Sequence, residues 1–74
     1  MDVRDYICRN YITLASLAKD VVARERLFLI GGDQLLNQAI ALMERDYRDE
    51  APEVAFNKAM GRLSSFYHKI EKEV

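Results

Sequence analysis

Few side chains of this 74-residue sequence are suited to chemistry, and they are scattered along the chain. The sequence contains one histidine, His68, and one cysteine, Cys8. Nucleophilic catalysis needs a base beside the nucleophile, and neither Cys8 nor the Ser64-Ser65 pair belongs to a motif that places His68 there. A protein-bound metal needs several His, Cys, Asp or Glu ligands, and no such spacing occurs. We therefore predict a non-enzymatic protein with no catalytic residue, no cofactor and no metal ligand.

Arg62 and His68 form an Arg-x5-His spacing. It resembles the motif of HEPN-type ribonucleases, in which a helical dimer pairs two such motifs across a cleft. The resemblance covers seven residues, and Leu63 stands where that family usually has a polar residue. It implies joint action of Arg62 and His68 on RNA. Helical phase favours a surface histidine instead, because it places His68 about 120° from the apolar stripe of its helix.

Four cations share one side of the third predicted helix, and we call them the basic ridge: Lys58, Arg62, Lys69 and Lys72. Their offsets of 0, 4, 11 and 14 residues place them on one exposed line. Such a line could follow a phosphate backbone, so a dimeric nucleic-acid-binding protein is the alternative function. The formal net charge is −1, and Glu71 and Glu73 dilute the local field. A balanced charge favours a protein partner over nucleic acid.

Two turn signals and the apolar spacing define the helices that would position these residues. Gly31 or Gly32 suits the end of a helix, Asp33 can cap the next, and Pro52 suits the first turn of another. The segments between these signals carry apolar residues at helical spacing. We predict helices over residues 2–30, 34–50 and 52–73. Short connections favour an antiparallel up-down-up three-helix bundle, so the chain is predicted to be one all-α domain over residues 1–74.

The unequal lengths of the first two predicted helices indicate self-association. A helix over residues 2–30 would be about 43 Å long and one over 34–50 about 26 Å, which leaves about 18 Å of the first helix uncovered. An exposed overhang of Val, Ile and Tyr is typical of an interface, and a second copy could bury it. The predicted self-association residues are Val3, Tyr6, Ile7, Tyr11, Leu27 and Ile30.

A broken first helix is the alternative to the overhang. A break near residues 10–13 or 23–26 would give a four-helix monomer. Glu25 supports the second position, because on an ideal helix it falls in the centre of the apolar stripe, between Val21 and Phe28. Burial of an unpaired carboxylate is costly, so either the helix changes register around residues 23–26 or Glu25 pairs with a basic residue.

These observations predict a small helical interaction protein, such as a regulator, an inhibitor or an assembly adaptor. A core of this size supplies only about 3–5 kcal/mol, so association would help the fold. We expect a homodimer that docks an unidentified protein, with nucleic acid less favoured and no membrane partner. Cys8 cannot form an intrachain disulfide, which favours the cytoplasm. The longest apolar run, Leu27 to Ile30, is far shorter than a membrane span.

Overall fold

A computed structural model describes residues 2–73, and within that range the chain forms three α-helices and no strand. Helix α1 spans Val3–Arg24, α2 spans Gly32–Asp46 and α3 spans Pro52–Glu73. All three helices pack against one another, and α2 makes the most extensive contacts with its neighbours. The all-α prediction is confirmed, and α3 has the predicted bounds.

Helix α1 begins with a side-chain cap and continues through a kink. The Asp2 carboxylate accepts a hydrogen bond from the backbone N–H of Asp5 at 2.8 Å, which satisfies one of the free donors of the first turn. Asn10 has a non-helical backbone, with φ −117° and ψ 16°. Its side-chain amide donates to the Tyr6 carbonyl oxygen at 2.9 Å. The helix kinks at one of the two positions expected for a break but continues as one element, so residues 2–73 do not form the four-helix monomer that a break near residues 10–13 would give.

The end of α1 corrects the predicted first helix, which was placed over residues 2–30. The helix ends at Arg24, Glu25 is its C-cap, and Arg26 has the left-handed φ of 53°. On a continued helix Leu27 and Ile30 would point to the polar side, whereas the turn places both in the core, 4% and 6% exposed. The break expected near residues 23–26 therefore occurs, but the residues that follow form a loop and not a fourth helix.

Helix α2 is also displaced from its prediction over residues 34–50. It begins two residues earlier, at Gly32, and ends four residues earlier, at Asp46, after which residues 47–50 form a turn. A Cβ atom at Gly32 would lie 2.5 Å from Cγ of Lys19 and 3.0 Å from its Cα. Only glycine permits this close approach of α1 and the start of α2.

The exposed overhang predicted for α1 is wrong. Helix α1 has 22 residues and α2 has 15, so the difference in length is about 10 Å. Residues 51–54 line a depression of about 440 Å³ together with Tyr6 and Asn10, so the start of α3 lies near this end of α1. The burial of Val3 and Ile7 shows that this end is not left uncovered. Of the predicted self-association residues, four are buried in the core of their own chain, Tyr6 is partly buried, and only Tyr11 is exposed. The four buried residues are Val3, Ile7, Leu27 and Ile30.

Candidate interaction surfaces

Arg62 and His68 have different partners. Arg62 Nη1 donates to Asp46 Oδ2 at 2.8 Å and to the Tyr47 hydroxyl oxygen at 3.2 Å, at the end of α2. His68 Nε2 lies 3.3 Å from Oε2 of Glu25, the C-cap residue of α1. The two ends of the Arg-x5-His spacing are therefore engaged at separate elements. Glu25 thus contacts a histidine of another helix, and its side chain is 40% exposed, so the cost of burying an unpaired carboxylate does not arise.

The basic ridge is divided into two parts. Lys58 forms an ion pair with Glu50, and Arg62 forms one with Asp46. Both cations also lie over the Tyr47 ring, with Lys58 Nζ 5.8 Å and Arg62 Cζ 5.9 Å from its centroid. Lys69 and Lys72, the remaining members of the ridge, are exposed. Carboxylates from the end of α2 and from the α2–α3 connection therefore offset the charge of the N-terminal half of the ridge.

Asp46 binds two arginines, Arg45 on its own helix and Arg62 on α3, and the second of these contacts links α2 to α3. Arg45 donates to both carboxylate oxygens, at 2.9 and 3.0 Å, and Arg62 donates to Oδ2. Hydrogen bonds from the two arginines lower the pKa of Asp46 from its ordinary 3.8 to about 2, and the bond from Arg45 has a larger effect than the bond from Arg62. Charge-assisted bonds of this kind fix the geometry of the partners, although exposed pairs contribute little free energy.

The Asp46 pairs predict a specific pH dependence. Because the pKa is lower in the folded chain, the stabilisation is present above the ordinary pKa and is lost as the pH falls through about 2. Asp46→Asn should therefore lower the free energy of unfolding at pH 7, and its deficit relative to wild type should shrink from pH 4 to pH 2. Urea denaturation at a series of pH values measures this deficit. Asp49→Asn is the matched control; a deficit of equal size and pH dependence in that variant would contradict the assignment.

Large apolar side chains are exposed on α1, in the connection from α1 to α2 and on α3, and they are Tyr11, Ile12, Leu17, Phe28, Leu29, Val54 and Phe66. Single exposed apolar residues are common, so their positions decide what they mean. Ile12 and Phe28 are the most exposed, at 86% and 82%. Phe28 was predicted to lie in the apolar stripe of the first helix, whereas Ile12 was assigned to no surface. The exposure of Ile12 could have been predicted, because its helical phase places it off the apolar stripe of α1.

The α1–α2 loop, residues 25–31, presents Phe28 from an anchored backbone. Leu27 and Ile30 are buried on either side of the two exposed residues. The backbone N–H groups of Phe28 and Leu29 both donate to Oε2 of Glu71 on α3, at 3.0 and 3.4 Å. We call Phe28 and Leu29 the loop tip. Because the loop backbone is already held in place, the loop tip loses less conformational entropy when a partner binds it.

An exposed line of residues runs along α1 on the side away from the buried Val3, Ile7, Leu14 and Ala18, with its last residue at the edge next to Gly32 of α2. We call this line the outer face, and it consists of Asp5, Cys8, Ile12, Ser16 and Lys19. All five residues are exposed and follow one another at steps of three and four. The buried residues of α1 keep steps of 4, 7 and 4 across the kink at Asn10. The outer face is therefore also continuous across the kink, with the exposed Ile12 at its middle.

Other features of the described residues point to no ligand. No group of three His, Cys, Asp or Glu side chains in residues 2–73 could hold a metal ion. A depression of about 390 Å³ beside the start of α1 is lined by three arginines, Arg4, Arg45 and Arg48, and by Asp2 and Glu44. Arg45 is already paired with Asp46, and the other two arginines are matched by the two carboxylates. Within the same range no helix is both long and apolar enough to cross a membrane.

Compared with models of protein families, with curated proteins and with solved structures, the chain shows no match in any of the three.

Proposed function

We propose that this protein is a non-enzymatic helical interaction protein that acts as a homodimer and docks a second protein, in the manner of a regulator, an inhibitor or an assembly adaptor. The observation that carries the proposal is the loop tip, where an anchored backbone presents Phe28 and Leu29 to solvent. Aromatic side chains on a preorganised support are typical anchors of protein interfaces.

The proposal includes an up-down-up bundle as the scaffold. Two contacts between α2 and α3 support it. The Tyr67 hydroxyl donates to Oε1 of Gln38 at 2.8 Å, and Arg62 contacts Asp46. Later positions on α3 thus meet earlier positions on α2, as in neighbouring antiparallel helices.

Two separate apolar surfaces suit a protein with two kinds of contact. Ile12 lies in the middle of α1, whose last residue is about 18 Å further along the axis, and the loop tip follows that end of the helix. Complete burial of a side chain such as Ile or Phe contributes about 1.5–3 kcal/mol. A contact centred on Ile12 would therefore leave the tip free for a different partner.

A protein with an apolar pocket fits the loop tip better than a nucleic acid does. Nucleic acid would be attracted chiefly by cations, and Lys58 and Arg62 are already paired with carboxylates. The tip itself offers no charge to phosphate. The alternative of nucleic-acid binding would depend mainly on Lys69 and Lys72.

Site-specific photocross-linking tests the docking proposal. A photoreactive phenylalanine analogue at Phe28 should capture a defined protein in cells, whereas the same analogue at Phe66 should not capture it. With the purified partner, Phe28→Ser should weaken binding by about 10- to 100-fold, because the lost burial is worth about 1.5–3 kcal/mol. Val54→Ser, at an exposed apolar position of α3, is the control and should bind like wild type.

Two outcomes would contradict docking through the tip. One is a captured partner that binds Phe28→Ser as tightly as wild type. The other is DNA or RNA binding that falls steeply with salt and is lost when Lys69 and Lys72 are replaced by Glu, which would establish the alternative function.

A further inference from the structure

Resting on the proposed function, we infer that a second copy of this chain packs on the outer face of α1, with the two α1 helices antiparallel about a two-fold axis at Ile12. The axis brings Ile12 against Ile12 of the second copy. The side chain is 86% exposed in one chain, so most of its surface is available for this contact. A two-fold contact of identical faces is also the commonest way in which soluble proteins dimerise.

Charge complementarity fixes the direction of the helices. Asp5 lies seven residues before Ile12 and Lys19 seven residues after it. An antiparallel pair centred on Ile12 therefore places Asp5 of each copy opposite Lys19 of the other, which makes two symmetric ion pairs. A parallel pair in register would place Asp5 against Asp5 and Lys19 against Lys19. Like charges opposed across an interface disfavour that arrangement.

Small side chains on both sides of Ile12 allow the helices to approach. Cys8 lies four residues before Ile12 and Ser16 four residues after it, and both are exposed. In the antiparallel pair Cys8 is level with Ser16 of the second copy. The aliphatic stem of Lys19 lies against the backbone of Gly32, which limits its freedom before any contact is made.

A charge swap tests the direction. Asp5→Lys and Lys19→Asp should each weaken the dimer about tenfold, because two attractive pairs become two repulsive ones. The double variant should return the dimer dissociation constant, measured by sedimentation, to the wild-type value. This restoration separates an interface effect from a folding effect, since the double variant keeps Lys at position 5. In a parallel dimer each single substitution would replace a pair of like charges with a pair of like charges of the other sign. The dimer dissociation constant would then stay unchanged.

Disulfide formation gives an independent test. Cys8 of the two copies would be about 12 Å apart along the axis, too far for a bond, whereas Ser16→Cys places a thiol level with Cys8 of the other copy. Mild oxidation should therefore convert Ser16→Cys, and not the wild type, into a covalent dimer. Rapid cross-linking of wild type through Cys8 would overturn the antiparallel arrangement.

The homodimer and the outer-face arrangement can be contradicted separately. A wild-type dimer that is insensitive to the charge swap and to Ser16→Cys would overturn the outer-face arrangement and leave the homodimer intact. A wild-type monomer at millimolar concentration would overturn both.

Discussion

Replacing Leu14 with alanine is expected to remove about 2–5 kcal/mol of stability, the usual cost of a cavity at a fully buried leucine. Leu14 lies on α1 and is 1% exposed, and it belongs with Leu35, Leu36 and Met43 among the largest fully buried side chains. A core of this size supplies about 3–5 kcal/mol. The substitution should therefore leave a large fraction of the chain unfolded at 25 °C.

Leu17→Ala is the matched control, because it is the same substitution on the same helix at a side chain that is 43% exposed. Its expected cost is below about 1 kcal/mol, since little buried surface is lost. Urea denaturation followed by circular dichroism, at one protein concentration for all variants, measures both. Equal losses in the two variants would contradict the packing described for α1.

Replacing Ile12 with glutamate is expected to abolish the dimer and leave the fold intact, whereas Leu14→Ala is expected to destabilise the fold. The side chain is 86% exposed in one chain, so a charge there costs the monomer little. In the proposed dimer two glutamates would face each other at the two-fold axis, buried and without a partner. We expect the dissociation constant to rise more than about 100-fold, corresponding to over about 2.7 kcal/mol.

Thr13→Glu is the control for Ile12→Glu. Thr13 is also exposed, but it lies one position on, about 100° around the helix and outside the outer face. Sedimentation at matched concentrations should find Thr13→Glu dimeric and Ile12→Glu monomeric, with equal helical content. Unfolding of Ile12→Glu, or an unchanged dimer, would contradict the assignment of this face.

Sequence patterns predicted the helical class and the bounds of α3, whereas the end of α1 was predicted only by the alternative of a break near residues 23–26. Pro52 marks the start of α3, and a regular apolar stripe follows it. At the end of α1 the left-handed residue is Arg26, which carries no turn signal, and the apolar run after it looks like more helix. The only sign of the turn was Glu25, whose place in the stripe conflicted with a continuous helix.

The error in the length of α1 also explains which surface residues the sequence argument missed. Because the first helix was predicted to be too long, part of it was expected to be uncovered. Val3 and Ile7 were assigned to that part, although they are only 3% and 8% exposed. The loop tip could not be predicted, because it depends on Glu71 reaching backbone groups 42 and 43 residues away in the chain. Ile12 could have been predicted from its phase alone.

The mass of the wild-type protein in solution tests self-association most directly. One chain has a mass of 8.6 kDa. Light scattering coupled to size-exclusion chromatography, over concentrations from micromolar to millimolar, should show the mass rising to a plateau at twice that value. A constant 8.6 kDa over the whole range would contradict the homodimer and every contact assigned to the outer face of α1.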